Sequence, residues 1–240
     1  MTKQKSQILS FGGVFLATIF LFSSLFRITS SYFKATPDVL VENECEETVI
    51  ILDAGHGGED GGATGTNGVL EKDLNLTLCH DLAAFLRLAG YTVVETRTED
   101  RLLYPEGTKK GHKKQGDLTG RLRFTGQYEN CVLISIHMNT FPDQSCEGVQ
   151  VWYSQNHPTS EELARTVQNN VATLLQSNNH RRIKAATSGI YLLRHAKVPA
   201  ILIECGFLST PADCERLCDP DYRRSLMLAL FAGICEKVPV

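Results

Sequence analysis

The sequence predicts an α/β fold: one domain with a mostly parallel, twisted sheet and helices on both faces, preceded by an N-terminal membrane segment. Three observations point there. Short aliphatic runs recur, among them VIIL (49–52), CVLISI (131–136) and PAILI (199–203), and near-continuous apolar strands are those buried on both faces of a parallel sheet. Between them lie stretches whose apolar residues step by three and four, long enough to cross the sheet as helices. Near the start, ILSFGGVFLATIFLFSSLF (Ile8–Phe26) runs 19 residues without a charge.

The elements follow in order. Nineteen helical residues approach the ~30 Å of a bilayer core, and lysines before the run hold the N-terminus in the cytoplasm, placing the rest outside. Residues 1–27 therefore read as a signal-anchor, with a cleaved signal peptide as the alternative. Residues 28–47, polar and ending ENECEE, read as a linker, and 48–240 as the exported globular domain. VIILD is the first strand. EKDLNLTLCHDLAAFLRLAG is a helix, with Leu74, Leu78, Leu82, Phe85 and Ala89 on one face and Gly90 as its stop. YTVVETR is a second strand, YPEGTKKGHKKQG a basic loop, and DLTGRLRFTGQYEN a helix capped by Asp117. CVLISIH and GVQVWYS are further strands, 159–177 an amphipathic helix, PAILIE a strand and DYRRSLMLALFAGICEKV a closing helix.

Composition narrows the function. The chain is 42% hydrophobic and 21% charged, as globular proteins are. A net charge of −3 gives no support for nucleic-acid binding. Eight cysteines in an exported chain allow a disulfide framework, but several sit in apolar runs and a domain of this size needs no staples, so free thiols are expected. Cys214 and Cys218, one helical turn apart with no nearby third and fourth ligand, read as packing.

Ligands of open parallel sheets gather beyond the carboxyl ends of the strands. There the chain places His56 after VIILDAG, His137 after CVLISI and Glu204 after PAILI, with Glu71 opening the first helix. Two histidines and a carboxylate are a set for catalytic zinc, and amide hydrolysis needs a further carboxylate to carry the proton. His56, Glu71 and His137 are thus candidate ligands and Glu204 the candidate acid/base. Each has a plainer reading: a strand-end histidine is more often hydrogen-bonded structure, and Glu71 has a second role as dipole partner of its helix. Glu204, ending an apolar run, is costly to bury unpaired. Of the other histidines, His80 lies within a helix, His112, His157 and His180 in polar surroundings, and His195 after YLLR, near enough in sequence to line the site.

DAGHGGEDGGATGTNGVLEKDLNL, LISIHMN and LLRHAKVPAILIECGFLST, in that order, resemble the zinc-dependent N-acetylmuramoyl-L-alanine amidases of the amidase-3 family, from about Val49 to the C-terminus. The resemblance implies that His56, Glu71 and His137 bind Zn2+, that Glu204 is the catalytic glutamate, and that peptidoglycan is hydrolysed between the lactyl group of N-acetylmuramic acid and the L-alanine of the stem peptide. The loop EGTKKGHKKQGDLTGRL and the stretch IYLLRHAKVPA are similar to the sporulation amidases of endospore-forming bacteria, which implies action on spore cortex in muramic-δ-lactam formation. Met138 and the cysteine number depart from the pattern without touching an assigned ligand. Asn139 then orients His137, contacts substrate or shapes a turn. Arg121 meets a stem carboxylate or lies on a helix surface, and lysines 109, 110, 113 and 114 face anionic polymer or solvent. The rivals are a vegetative autolysin, an exported zinc peptidase and a non-catalytic peptidoglycan-binding module. An accessory protein is a further possible partner.

Overall fold

The computed structural model describes residues 47–240. The membrane segment expected at 1–27, and all of the expected linker but its last residue, lie outside the described residues, among which no helix is long and apolar enough to cross a membrane. Six strands form one sheet: β1 (Val49–Ala54), β2 (Val93–Glu95), β3 (Cys131–Asn139), β4 (Gln150–Tyr153), β5 (Lys184–Ala185) and β6 (Ala200–Phe207), in the order β2-β1-β3-β6-β4-β5. The pairs β1·β2, β1·β3, β3·β6 and β4·β5 are parallel, and β4 runs antiparallel to β6. The sheet is therefore mixed. Residues 140–149 between β3 and β4 are too few for the crossover that a parallel return requires, so the chain comes back antiparallel.

The helices are α1 (Glu71–Leu88), α2 (Lys113–Thr125), α3 (Thr159–Leu174), α4 (Tyr191–His195), α5 (Pro211–Cys218) and α6 (Pro220–Cys235). In α1 the buried stripe is Leu74, Leu78, Leu82 and Leu86, four residues apart. Gly90, with φ 96°, takes the left-handed conformation that ends it. Strand alternation then splits the core. Ile50, Leu52, Ile134, Ile136 and Ile203 pack one face against α1, α3 and α6, in the larger cluster. Ile51, Leu133 and Leu202 point the other way into a smaller cluster with Leu192 and Leu193 of α4 and Leu122 and Phe124 of α2. The same alternation carries Asp53, Ser135, His137 and Glu204 onto this second face, where cover thins towards the strands' carboxyl ends.

Several boundaries differ from the sequence reading. α2 begins at Lys113, so Asp117 is no cap: it lies inside the helix, buried, accepting from Leu103 N at 2.6 Å and Arg121 Nε at 2.7 Å. β3 and β6 run on past His137 and Glu204, which are therefore strand residues rather than strand ends. The short β5, α4 and α5 were not anticipated as elements. The seven described cysteines are free, and Cys45 lies outside the described residues. Cys214 and Cys218 both face Asn67, whose Oδ1 accepts from the Cys214 thiol and whose Nδ2 donates to Cys218 Sγ, each at 3.2 Å.

Candidate metal centre and active site

The site begins with how the backbone presents His56. Its φ of 61° is left-handed, a conformation that costs a non-glycine residue about 1 kcal/mol or more. Two buried arginines hold the chain there. Arg97 donates to Ala54 O at 2.9 Å and Gly55 O at 3.0 Å, and Arg121 to Ala54 O at 2.8 Å and His56 O at 2.7 Å. Three successive carbonyls are thereby fixed before the imidazole. Arg121 is also paired with Asp53 at 2.5 Å and Asp117 at 2.7 Å, so it is a buried strut and not the surface arginine that sequence allowed. Burial works to lower its pKa, but the two aspartates outweigh it and raise it. Asp53 is lowered in turn by Arg121, Ser135 and Thr96 despite the opposing cost of full burial. Arg97 is 1% exposed and has only carbonyls as hydrogen-bond partners; its other two are Lys72 O at 2.8 Å and Glu99 O at 3.2 Å. It thus ties the loop before His56 to the first turn of α1, beside Glu71.

Those constraints converge on one point. His56 Nε2 lies 3.3 Å from Glu71 Oε1, and His137 Nδ1 lies 3.0 Å from the same oxygen. Ligand atoms ~2.0–2.2 Å from a tetrahedral metal sit roughly 3.3–3.5 Å from one another, and the three here all lie within 4.8 Å. The donor set of two imidazoles and a carboxylate could hold a metal ion, and among the described residues it is the one such cluster. Asp60 Oδ2, 3.0 Å from His56 Nδ1, fixes the tautomer that leaves Nε2 free for a metal. Glu71 Oε2 accepts from Ala63 N at 2.8 Å and Oε1 from Met138 N at 3.0 Å. Burial opposes its ionisation, but His137 and His56 hold the carboxyl far below the usual carboxylate range. Burial likewise disfavours the charged form of His56, yet Glu71 and Asp60 raise its pKa.

Glu204 stands in register with His137 on the neighbouring strand. Its Oε2 is buried without a hydrogen-bond partner. Burial pushes its pKa up to about 7, opposed by His137 and reinforced by Glu71. It opens on a cavity of about 250 Å³ that also reaches His56, His137, Lys114, Tyr191 and Leu202. Four larger cavities, of about 290 to 440 Å³, lie elsewhere and hold none of the four candidate residues.

All four expected residues thus meet. His195 does not: its ring stacks on Tyr191 at 4.2 Å and its Nδ1 contacts Tyr191 O, outside the cavity lining. Asn139 shapes the turn, its side chain accepting from Thr140 N at 2.8 Å. His80 pairs with Glu95 at 3.3 Å. Sequence reasoning passed over Asp60, Asn75 and Arg97. Asp60 stands four residues beyond His56, and Asn75 one turn beyond Glu71, donating to Gly55 O at 3.1 Å; both were readable as spacings. Nothing in the sequence marks Arg97. Gly55 lies so close against the His137 ring that a Cβ would collide with it. Gly55→Ala is expected to weaken metal binding by roughly tenfold or more, measured by competition with a chromogenic chelator.

Residues 50–236 match the family Amidase_3, described as N-acetylmuramoyl-L-alanine amidase. The germination-specific N-acetylmuramoyl-L-alanine amidase of Bacillus subtilis (strain 168) is 34% identical over 233 residues, covering 97% of this chain and 94% of that protein. The CwlD amidase of Clostridioides difficile, solved in complex with the GerS lipoprotein, superposes with a TM-score of 0.75 at 33% identity, over 80% of this chain and 98% of that one. The amidase AmiC2 of Nostoc punctiforme does so with a TM-score of 0.67 at 27% identity, over 79% and 96%. The chain belongs to the Amidase_3 family of N-acetylmuramoyl-L-alanine amidases.

Proposed function

We propose that this enzyme is a zinc-dependent amidase of the spore cortex, held at the membrane by residues 1–27, that cleaves the bond between the lactyl group of N-acetylmuramic acid and the L-alanine of the stem peptide. The observation that carries the chemistry is the pairing of a three-donor cluster fit for a metal with Glu204 one strand away, whose Oε2 is buried and, among the described residues, without a hydrogen-bond partner. Likeness along nearly the whole chain to a germination-specific amidase supports the cortex as substrate. The complex of the Clostridioides difficile amidase with a lipoprotein supports an accessory exported partner.

His56, Glu71 and His137 would hold the ion, with Asp60 orienting His56. Zinc when bound polarises a carbonyl and brings the pKa of water to about 7. Glu204 takes a proton from the attacking water and delivers it to the leaving L-alanine nitrogen, and its unsatisfied oxygen is free to do both. Burial keeps bulk water from competing for that proton. A binding module would need neither the raised carboxyl nor the metal cluster.

Digestion of purified cortex peptidoglycan by the zinc-loaded full chain tests the proposal. Intact stem peptides with a free L-alanine amine, and muramic acid with a free lactyl carboxyl, are expected. Stems cut within the peptide would make it a peptidase, and wall binding without release, even with the accessory partner supplied, would make it a binding module.

A further inference from the structure

Most of the charge lining the cavity beside Glu204 is already committed. Asp53, Asp117 and Arg121 are bound to one another, and His56 is engaged by Asp60 and Glu71. Lys114, in the first turn of α2, lines the same cavity and is exposed. Among the described residues its ammonium makes no hydrogen bond or ion pair. Its neighbour Lys113 differs: it is paired with Glu59 at 3.0 Å and lies 5.2 Å over the Tyr104 ring, fixing the turn that presents Lys114.

The chemistry of the substrate says what such a cation meets. In the proposed substrate the lactyl carboxyl is consumed in the scissile amide, and the sugar offers neutral hydroxyl and acetamido groups. The anions are the carboxylates of the stem peptide. We propose that Lys114 is a specificity-determining residue that receives a stem-peptide carboxylate and so lays the peptide along the α2 side of the cavity. This rests on the amidase reading above. Asp60 and Glu204 would by themselves repel an acidic peptide, and an uncommitted ammonium at the mouth offsets part of that repulsion and gives a carboxylate a place to settle. The opposite wall, Ile190, Tyr191 and Leu202, offers a carboxylate no charge. A lysine is a point charge on a flexible stem, so it tolerates more than one carboxylate position where an arginine fork would demand one.

The test uses the zinc-loaded full chain and two synthetic muramoyl-peptides, one with free stem carboxylates and one with those carboxylates amidated. The parent should prefer the free acid. Lys114→Gln should raise KM for the free acid by roughly threefold to tenfold at constant kcat, as one partly exposed ion pair allows, and should erase the preference. Lys114→Glu should invert it. Equal losses on both substrates, a fall in kcat alone, or a parent indifferent to amidation would overturn the proposal. A parent that stays folded and zinc-loaded yet cleaves neither substrate, alone or with the exported accessory partner supplied, would sink the amidase reading itself, and this inference with it.

Discussion

Replacing Glu204 by Gln is expected to lower kcat by roughly 10²- to 10⁴-fold while zinc content stays that of the parent. The amide cannot take the proton from water, but it fills the same space and supplies no fewer metal ligands. Loss of zinc with activity would instead make Glu204 part of the metal's coordination. The base works only when ionised, so kcat/KM of the parent should climb with rising pH through the carboxyl's pKa. That value is about 7 in the metal-free chain, and a nearby divalent cation moves it down, which places the acidic limb at or below pH 7. Stability should run the other way. The folded state holds this proton more tightly than the unfolded chain, so the metal-free protein loses stability as pH rises from about 4.5 to about 7. The loss amounts to about 3 kcal/mol at most. Glu204→Gln has no charge to bury. Its Tm should exceed the parent's at pH 8 and match it at pH 4, where both side chains are neutral. An equal offset at both values would mean that packing, not the buried charge, sets the difference.

Arg97→Met is the second large effect. The guanidinium donates to the Ala54, Gly55, Lys72 and Glu99 carbonyls. Arg121 still serves Ala54 O and Asn75 still serves Gly55 O in its absence, but four hydrogen bonds from a charged donor are lost at about 1 kcal/mol each. A total loss of about 3 kcal/mol or more is expected, which lowers Tm by roughly 6–12 °C in a domain of this size. Zinc affinity should fall with it, because the same side chain ties the His56 loop to the turn carrying Glu71. Arg97→Lys keeps the charge but reaches fewer carbonyls and should fall between. Calorimetry with and without zinc separates the two consequences: a fall in Tm with unchanged zinc affinity would leave Arg97 a fold residue only.

Much of this was legible before any coordinates. β1, β3 and β6 were readable because strands buried on both faces are aliphatic almost without interruption. α1 was readable because its stripe repeats every four residues. The four chemical residues could be gathered because strands of a parallel sheet empty onto one rim. Other features were not. Asp117 looks like a cap because a buried acid and a capping acid are spelled alike, and only Arg121 across the turn decides between them. Arg121 itself reads as a surface residue, since nothing in its neighbourhood announces Asp53, 68 positions earlier. The antiparallel β4 depends on a loop length that sequence gives and a strand boundary that it does not. Arg97 acts through main-chain carbonyls, and main chain leaves no mark in a sequence.

The position of β6 has a consequence for when the enzyme exists at all. This strand is last in the chain yet central in the sheet, lying between β3 and β4 and carrying Glu204. The sheet cannot close until it has been threaded into the middle, after every other strand is made. A partial chain ending before Ala200 contains His56, Glu71 and His137 but lacks Glu204. Synthesis therefore delivers the proposed metal ligands early and the proposed catalytic carboxyl late. An enzyme that cuts its own cell's envelope stays inert for most of its time as a growing chain, by the order of its strands alone.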